Sequence, residues 1–458
     1  METHLPIPDD LANPAHADGV LFDLGEPLPA QPATRGGTPR LRHADREQAE
    51  MRCCSLDQLV DPNHEVRQVW AYVDGLDLSG VLAGIRAVEG GPGASATDPR
   101  ILFSLWLYAT LRKIGSAREL DRRARDDFPF QWLRGGVSLN YHTLADFRVA
   151  HGEVLDDLLT QSVAVLLEQE LVVMDRVAQD GMRVRAAAGA SSYRRGPRLQ
   201  EFLEEAEHQV ATLRKEMEED PAAGTRRQRA ARQRAAADRL ERVRKAIELL
   251  PEAAACKPVK DKEKARVSTT DAEAKVMKMA DGGFRPALNV QFATDTETQV
   301  IVGVEVVSSG SDQGKLAPMA AQLEERYDRK PAEMLVDGGY TNKEDIETLG
   351  QAGTTVYAPV PKPKDEARDP HEPLGSDTPK VAEWRERMGT DEAKEIYKER
   401  ASTAECVNAQ ARNRGLQRFT VRGRAKAKAV VLWYVLAHNL LRTAALRAAR
   451  EKEAARAG

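Results

Sequence analysis

From about residue 55 to residue 175 apolar residues return every three or four positions, the period of helices with one buried face. His64 to Leu78 sets Val66, Val69, Trp70, Val73 and Leu76 on such a stripe. Gly90, Gly91, Pro92 and Gly93 interrupt it, and Pro99 then opens the strongly apolar ILFSLWLYATLRKIG. Ser116 and Glu119 form a capping box for SARELDRRARDD. Thr143 reads as the cap of one long helix reaching about Glu170, with Leu144, Phe147, Leu155, Leu158, Leu159, Leu166 and Leu167 as its core stripe.

The period changes at LVVMDRVAQDGMRVRA (171–186), a strand-like segment with Asp180 before Gly181. Two charged helices follow, Arg198 to Glu219 and Arg226 to Leu250, turned at Asp220-Pro221 into an antiparallel hairpin. Phe202, Leu203, Val210, Leu213 and Met217 are expected to face Leu240, Val243, Ile247 and Leu250. Strands resume with ALNVQFATD and TQVIVGVEVV around a turn at Asp295 to Glu297. Lys315 to Asp328 reads as a helix, EMLVD as a strand ending in Asp337, Asn342 to Leu349 as a short helix and TTVYAPV as a strand. Pro361 to Pro379, with five prolines, is a loop. Glu395 to Gly415 reads as one helix stopped at its glycine, and a last amphipathic helix runs from about Ala427 to Arg447. Residues 1 to about 45, with Pro6, Pro8, Pro14, Pro27, Pro29, Pro32 and Pro39, read as a mostly disordered tail.

Charge changes this picture locally rather than globally. The net charge is −4, yet Arg385 to Gly458 carries seventeen Lys and Arg against eight Asp and Glu. A basic face of that kind binds phosphate whatever the chain's total. Cys53, Cys54, Cys256 and Cys406 lack metal-ligand spacing and a disulfide framework, which fits a reducing cytoplasm. The N-terminus does not read as a signal peptide. AVVLWYVLAHNLL is short for a membrane span and is interrupted by His438 and Asn439, so no membrane is expected as a partner. His438 reads as a hydrogen-bonded core residue. The short Arg-flanked helices before residue 170 suit a helix-turn-helix reader of DNA, although a solvated basic helical surface has the same pattern.

Candidate chemistry lies in three carboxylates. Asp180 and Asp337 both follow apolar segments and precede Gly, suggesting strand ends that open into loops. On a helix drawn at about 100° per residue from Tyr397, Arg400 falls at about −60°, Arg412 at about 60° and Glu405 at about 80°. One acid, one phenol and two guanidiniums therefore share a broad face. Two Asp on strands and a Glu on a late helix can bind two divalent metals for phosphodiester chemistry. Asp271 in STTDAEAK and Asp312 in SGSDQGK read instead as helix caps or first-turn residues. No Walker motif, dinucleotide fingerprint or Gly-x-Ser-x-Gly elbow is present.

DGMRVRA (180–186), LVDGGYTNKEDIETL (335–349), the Tyr397–Arg400–Glu405 spacing, STTDAEAKVMK (268–278) and WLRGGVSLNYHTLADFR (132–148) together resemble the DDE transposases of bacterial insertion sequences. The similarity is strongest to the insertion-sequence-1182 type and covers about residues 48 to 445. It implies an α/β ribonuclease H-like catalytic domain over 171–420 with the helical hairpin inserted at 196–252. An all-α DNA-binding domain over 46–170 would precede it, and a basic amphipathic helix over 421–458 would follow. It further implies that Asp180, Asp337 and Glu405 are catalytic and hold two Mg²⁺ (or Mn²⁺) ions, and that Tyr397 and Arg400 contact DNA. Arg412 stands where relatives more often carry Lys, a point charge in place of a fork. The implied partners are double-stranded DNA, as terminal repeats and target, and a second copy of the chain on that DNA. The implied location is the cytoplasm, in association with the nucleoid. Two other readings remain open here: a ribonuclease H-like nuclease that cuts without joining, and a catalytically silent DNA-binding descendant.

Overall fold

The computed structural model describes residues 47, 53–92, 94–219, 225–363, 365 and 367–457; the tail expected over 1–45 and the Asp220-Pro221 turn lie outside them. Residues 54–458 form one compact unit. Its first part is helical, as the apolar period requires: α1 (Glu65–Asp74), α2 (Pro99–Leu111), α3 (Ala117–Asp126), α4 (Phe128–Arg134), α5 (Tyr141–Ala150) and α6 (Gly152–Glu168). Asp98 caps α2 by accepting from the Arg100 N–H, Pro99 occupies its first turn, and Ile101 to Thr110 are all buried. Of the capping box expected at Ser116, only the Ser116 half forms, because Glu119 turns to Arg122 and Arg123. The single helix expected from Thr143 is two. Asn140 accepts from the N–H groups of His142 and Thr143 and so starts α5 earlier, and the chain leaves helical geometry at His151 before restarting at Gly152, a weak helix former.

The sheet holds β1 (Arg176–Arg185), β2 (Lys275–Lys278), β3 (Phe284–Asp295), β4 (Ile301–Val307), β5 (Glu333–Val336) and β6 (Thr355–Tyr357). Its order is β2-β3-β1-β5-β6, with β4 also paired to β3. β1 runs antiparallel to β3 and parallel to β5, so the sheet is mixed. Between β1 and β2 the chain makes two long helices, α7 (Gly196–Glu219) and α8 (Arg226–Glu248), which pack on each other. Of the expected stripe Val243 is buried and the remaining members are half-buried, while Leu199, Ala206, Ala236 and Ala246 are the other buried positions, so small side chains bring the helices close. Arg239–Glu205 and Arg244–Glu207 pairs tie their outer faces. α9 (Leu316–Tyr327) separates β4 from β5 and α10 (Lys343–Gln351) separates β5 from β6; after the sheet come α11 (Pro379–Arg387), α12 (Asp391–Arg400), α13 (Cys406–Asn413) and α14 (Arg424–Ala457).

α14 binds the two parts of the unit together. It packs on α2, α5, α6 and β4, and its residues join the same apolar core as those of the first helices and the sheet. Asn439, fully embedded, gives its amide to the Ile301 carbonyl and accepts from the Ile301 N–H, which satisfies backbone groups of β4 that no strand pairs. By length and hydropathy α14 passes as a membrane span, but 67% of that window is buried in the protein, which marks it as a core helix.

Candidate active site

Parallel pairing aligns Gln179 with Val336, so the next residue of each strand is an acid: Asp180 on β1 and Asp337 just past β5. The expectation that Asp180 ends its strand is corrected. β1 continues to Arg185 because β3 stays paired alongside it, matching Asp180 to Phe292 and Arg185 to Ala287. Only Asp337 stands at a strand end, where its Oδ1 accepts the Gly339 N–H at 2.8 Å and caps a short 3₁₀ turn, Gly338–Tyr340.

Asp180 is mostly buried, its side chain 17% exposed. Its Oδ1 accepts the Gly181 N–H at 2.8 Å and its Oδ2 accepts from the Asn408 amide at 3.0 Å. Burial, with the charge of Asp337 adding to it, pushes its carboxyl up to about 6. A buried carboxyl raised in this way beside a second acid is the electrostatic mark of the site.

Glu405 arrives differently. The helix expected to run unbroken from Glu395 to Gly415 contains a π-helical turn, Ala401–Glu405, between α12 and α13. That turn packs against β1 and β3, with Thr403 and Ala404 buried. On an α-helical wheel Arg400 and Glu405 stand about 140° apart, at opposite edges of that broad face. The i→i+5 winding of the π turn stacks residue 405 over residue 400 instead, and the Arg400 guanidinium meets Glu405 Oε1 at 2.8 Å. The same guanidinium stands 3.9 Å from Asp180 Oδ2 and 5.8 Å from the Tyr397 ring centre. Burial disfavours the Arg400 charge, but Tyr397, Asp180, Glu405 and Asp337 around it outweigh that and hold its pKa above the usual range. Burial also pushes the Tyr397 hydroxyl up. Tyr397, Arg400, Glu405 and the two Asp thus form one neighbourhood. Glu405 is the loosest member, with 59% of its side chain exposed. Arg412 is exposed on α13, and no acidic side chain among the described residues is within ion-pair distance of it. Gly415 has φ +98°, a left-handed stop that suits glycine.

Among the described residues no group of three His, Cys, Asp or Glu side chains converges as a ready-made metal cage. Asn408, three residues after Glu405 and so on the neighbouring helix face, escaped the sequence reading although the i+3 spacing was there to find it. Asp312 is no helix cap, as its Oδ1 accepts from the Asn289 and Gln291 amides at 2.7 and 2.8 Å. Asp271 likewise caps no helix of its own, but is buried and takes the Gly423 N–H at 3.2 Å, at the start of α14. His438 is the core residue expected, with Nε2 donating to the Gln299 carbonyl at 2.7 Å.

Acids on adjacent strands of a mixed sheet, beside a helix rich in guanidinium groups, are the framework of an α/β enzyme acting on nucleic acid. Comparison makes this specific: residues 255–440 match the family model "Transposase DDE domain", and residues 54–150 match "Transposase domain (DUF772)". Together the two matches indicate a DDE transposase of an insertion sequence, and the insertion-sequence-1182 type is consistent with this pairing of models. It is an enzyme of DNA transposition that cleaves DNA and transfers strands, and the joining-deficient nuclease and silent descendant are not favoured. A DDE domain carries the ribonuclease H-like fold. The DDE match includes Asp337 and Glu405 and begins after Asp180. No curated protein and no solved structure matches the chain.

Proposed function

We propose that Asp180, Asp337 and Glu405 are the three catalytic carboxylates of this transposase, acting on the terminal repeats of its element and on target DNA. The observation that carries the reading is the register: two acids follow equivalent positions of neighbouring parallel strands, and one is pushed up to about 6 by burial and by the other.

The donor set suits hard divalent cations. It is oxygen-only, and the buried Asn408 Oδ1 beside it accepts no hydrogen bond among the described residues. Asp180, Asp337 and Glu405 are the residues that would hold two Mg²⁺ or Mn²⁺ ions. When bound, such ions supply an activated hydroxyl nucleophile and charge relief at phosphorus. The chain's own groups do the rest. The Gly181 N–H and Asn408 fix the Asp180 carboxylate, and the Gly339 N–H fixes Asp337. Arg400, spread between Asp180 and Glu405, offsets their repulsion and, with Tyr397, borders the place where a DNA phosphate comes. Arg412, exposed and without an acidic partner among the described residues, is a phosphate contact further along the same run.

In this reading residues 46–170 recognise element ends, 171–420 form the catalytic domain and 421–458 the final helix. α7 and α8 are an insertion (196–252) after the first strand of the ribonuclease H-like sheet. Two copies of the chain work together on paired ends, in the cytoplasm at the nucleoid.

The test is Mg²⁺-dependent cutting and joining of duplex DNA that carries the flanking element ends, with wild type beside Asp180→Asn, Asp337→Asn and Glu405→Gln. Loss of cutting in each variant with end binding retained is the expected result. A wild-type chain that binds ends but neither cuts nor joins with any divalent metal sinks the reading.

A further inference from the structure

We propose that Asp312 is a fourth carboxylate of this acid site, positioned by Asn289 and Gln291 to strengthen its hold on a divalent cation; this rests on the reading of Asp180 and Asp337 given above.

Asp312 comes from the segment between β4 and α9, far in sequence from the other acids, and its side chain is 13% exposed. Its Oδ1 takes both available amide donors from β3, which leaves Oδ2 with Arg183 at 3.8 Å. Those amides belong to a deeper network, since Gln291 Oε1 accepts from Gln179 Nε2 at 3.1 Å and from the Tyr340 hydroxyl. Gln179, Asn289, Gln291 and Tyr340 are all buried. Apolar residues in such a place would usually be no less stable, so a network of this kind argues for a purpose beyond stability.

Two glycines show where Asp312 points. A Cβ on Gly181, the residue after Asp180, would sit 2.5 Å from Asp312 Oδ1 and 2.6 Å from Gln291 Nε2. A Cβ on Gly339, two residues past Asp337, would sit 2.9 Å from Asp337 Oδ1 and 3.6 Å from Asp312 Oδ2. Asp312 thus lies against the segment that carries each catalytic aspartate, and Gly181 is needed to admit it. Independently, Asn289 Oδ1 and Gln179 Oε1 are fully buried acceptors with no donor among the described residues. Asn289 Oδ1 is 2.9 Å from that same Cβ position at Gly181. Acceptors without donors beside an acid suit a cation and the water it orders.

A merely structural Asp312 would anchor the loop through Oδ1 alone. Asp312→Asn separates the two roles, because an asparagine oxygen still accepts both amides while the charge and the second acceptor are gone. The experiment is calorimetric titration of Mn²⁺ into the full chain without DNA, paired with the Mg²⁺ midpoint for cutting end-bearing DNA. Asp312→Asn is expected to weaken Mn²⁺ binding about tenfold, to raise the Mg²⁺ midpoint and to regain cutting at high Mg²⁺, with an unchanged melting temperature. Unchanged binding in Asp312→Asn beside lost binding in Asp180→Asn overturns the role of Asp312 and leaves the Asp180–Asp337 reading standing. Unchanged binding in both overturns both. Should Asp312→Asn not fold, Asn289→Ser withdraws one donor from the carboxylate and serves in its place: weakened Mn²⁺ binding supports the proposal, and wild-type binding overturns it.

Discussion

Asp180 and Asp337 stand on paired strands, whereas Glu405 stands on a helical turn. The two aspartates owe their proximity to ladder hydrogen bonds in a buried sheet, and each accepts a backbone N–H, Asp180 within the register of β1 and Asp337 at the cap just past β5. Glu405 is mostly exposed, and among the described residues its only side-chain partner is Arg400. The sheet therefore supplies pre-set charge repulsion, and the turn supplies an acid whose place depends on one guanidinium. A site that must admit a long, stiff duplex gains from having one wall fixed and one adjustable.

The sharpest way to break this contrast is to compare the acids one at a time. Asp180→Asn and Asp337→Asn are expected to lower the single-turnover cutting rate by about 10³-fold or more, the several kcal/mol that a metal-held phosphoryl group draws. Glu405→Gln should cost less, about 10²-fold, and should show the stronger rescue by raised Mg²⁺. Equal losses at all three positions would erase the distinction between wall and turn.

Next in size comes the fixed wall itself. Gly181→Ala drives a Cβ into the Asp312 carboxylate and the Gln291 amide, so chemical denaturation should show a loss of about 2 kcal/mol. A wild-type midpoint would mean that the sheet side yields more readily than its hydrogen bonds suggest.

The smallest effect concerns what backs the adjustable side. Gln299 links α14 to the π turn, since its carbonyl accepts from His438 and its side-chain amide donates to the Ser402 carbonyl at 3.3 Å. Burial pushes His438 down to about 4, its bond to Gln299 opposing that, with Arg414 and Arg442 adding to the effect. Because the unfolded imidazole takes its proton near 6.5 and the folded one only near 4, the stabilisation is complete above about 6.5 and is lost as pH falls toward about 4. Thermal melts across that window should decline, and His438→Gln should flatten that part of the curve. An identical slope in the variant would remove His438 from the account.

Legibility in the sequence followed the same divide. Asp337 was plain, because three apolar residues followed by Asp-Gly-Gly read as a buried strand running into a turn. The place of Asp180 within β1 was not, since it depends on how far β3 remains paired beside it, a contact more than a hundred residues away. Long apolar periods fixed the helical elements well, and erred where a better cap, Asn140, lay outside the apolar stripe. Asp312 was missed because a carboxylate in a Ser- and Gly-rich loop looks like any cap until the two amides on β3 are seen to meet it. The clustering of Tyr397, Arg400 and Glu405 was foreseen from spacing, but the contact between Arg400 and Glu405 arose from a winding that no residue type announces.

That winding makes the active site sensitive to length rather than to composition. A π turn is one residue of surplus in an otherwise α-helical run, so deleting a single codon within Ala401–Ala404 lets the segment relax to a continuous α-helix. Everything from Cys406 onward would then swing by about 100° and Asn408 would leave Asp180, although every catalytic side chain is still encoded. Alanine substitutions across the same stretch would leave that phase intact. The register of this helix is thus held as a count, and a deletion scan reads it where a substitution scan does not.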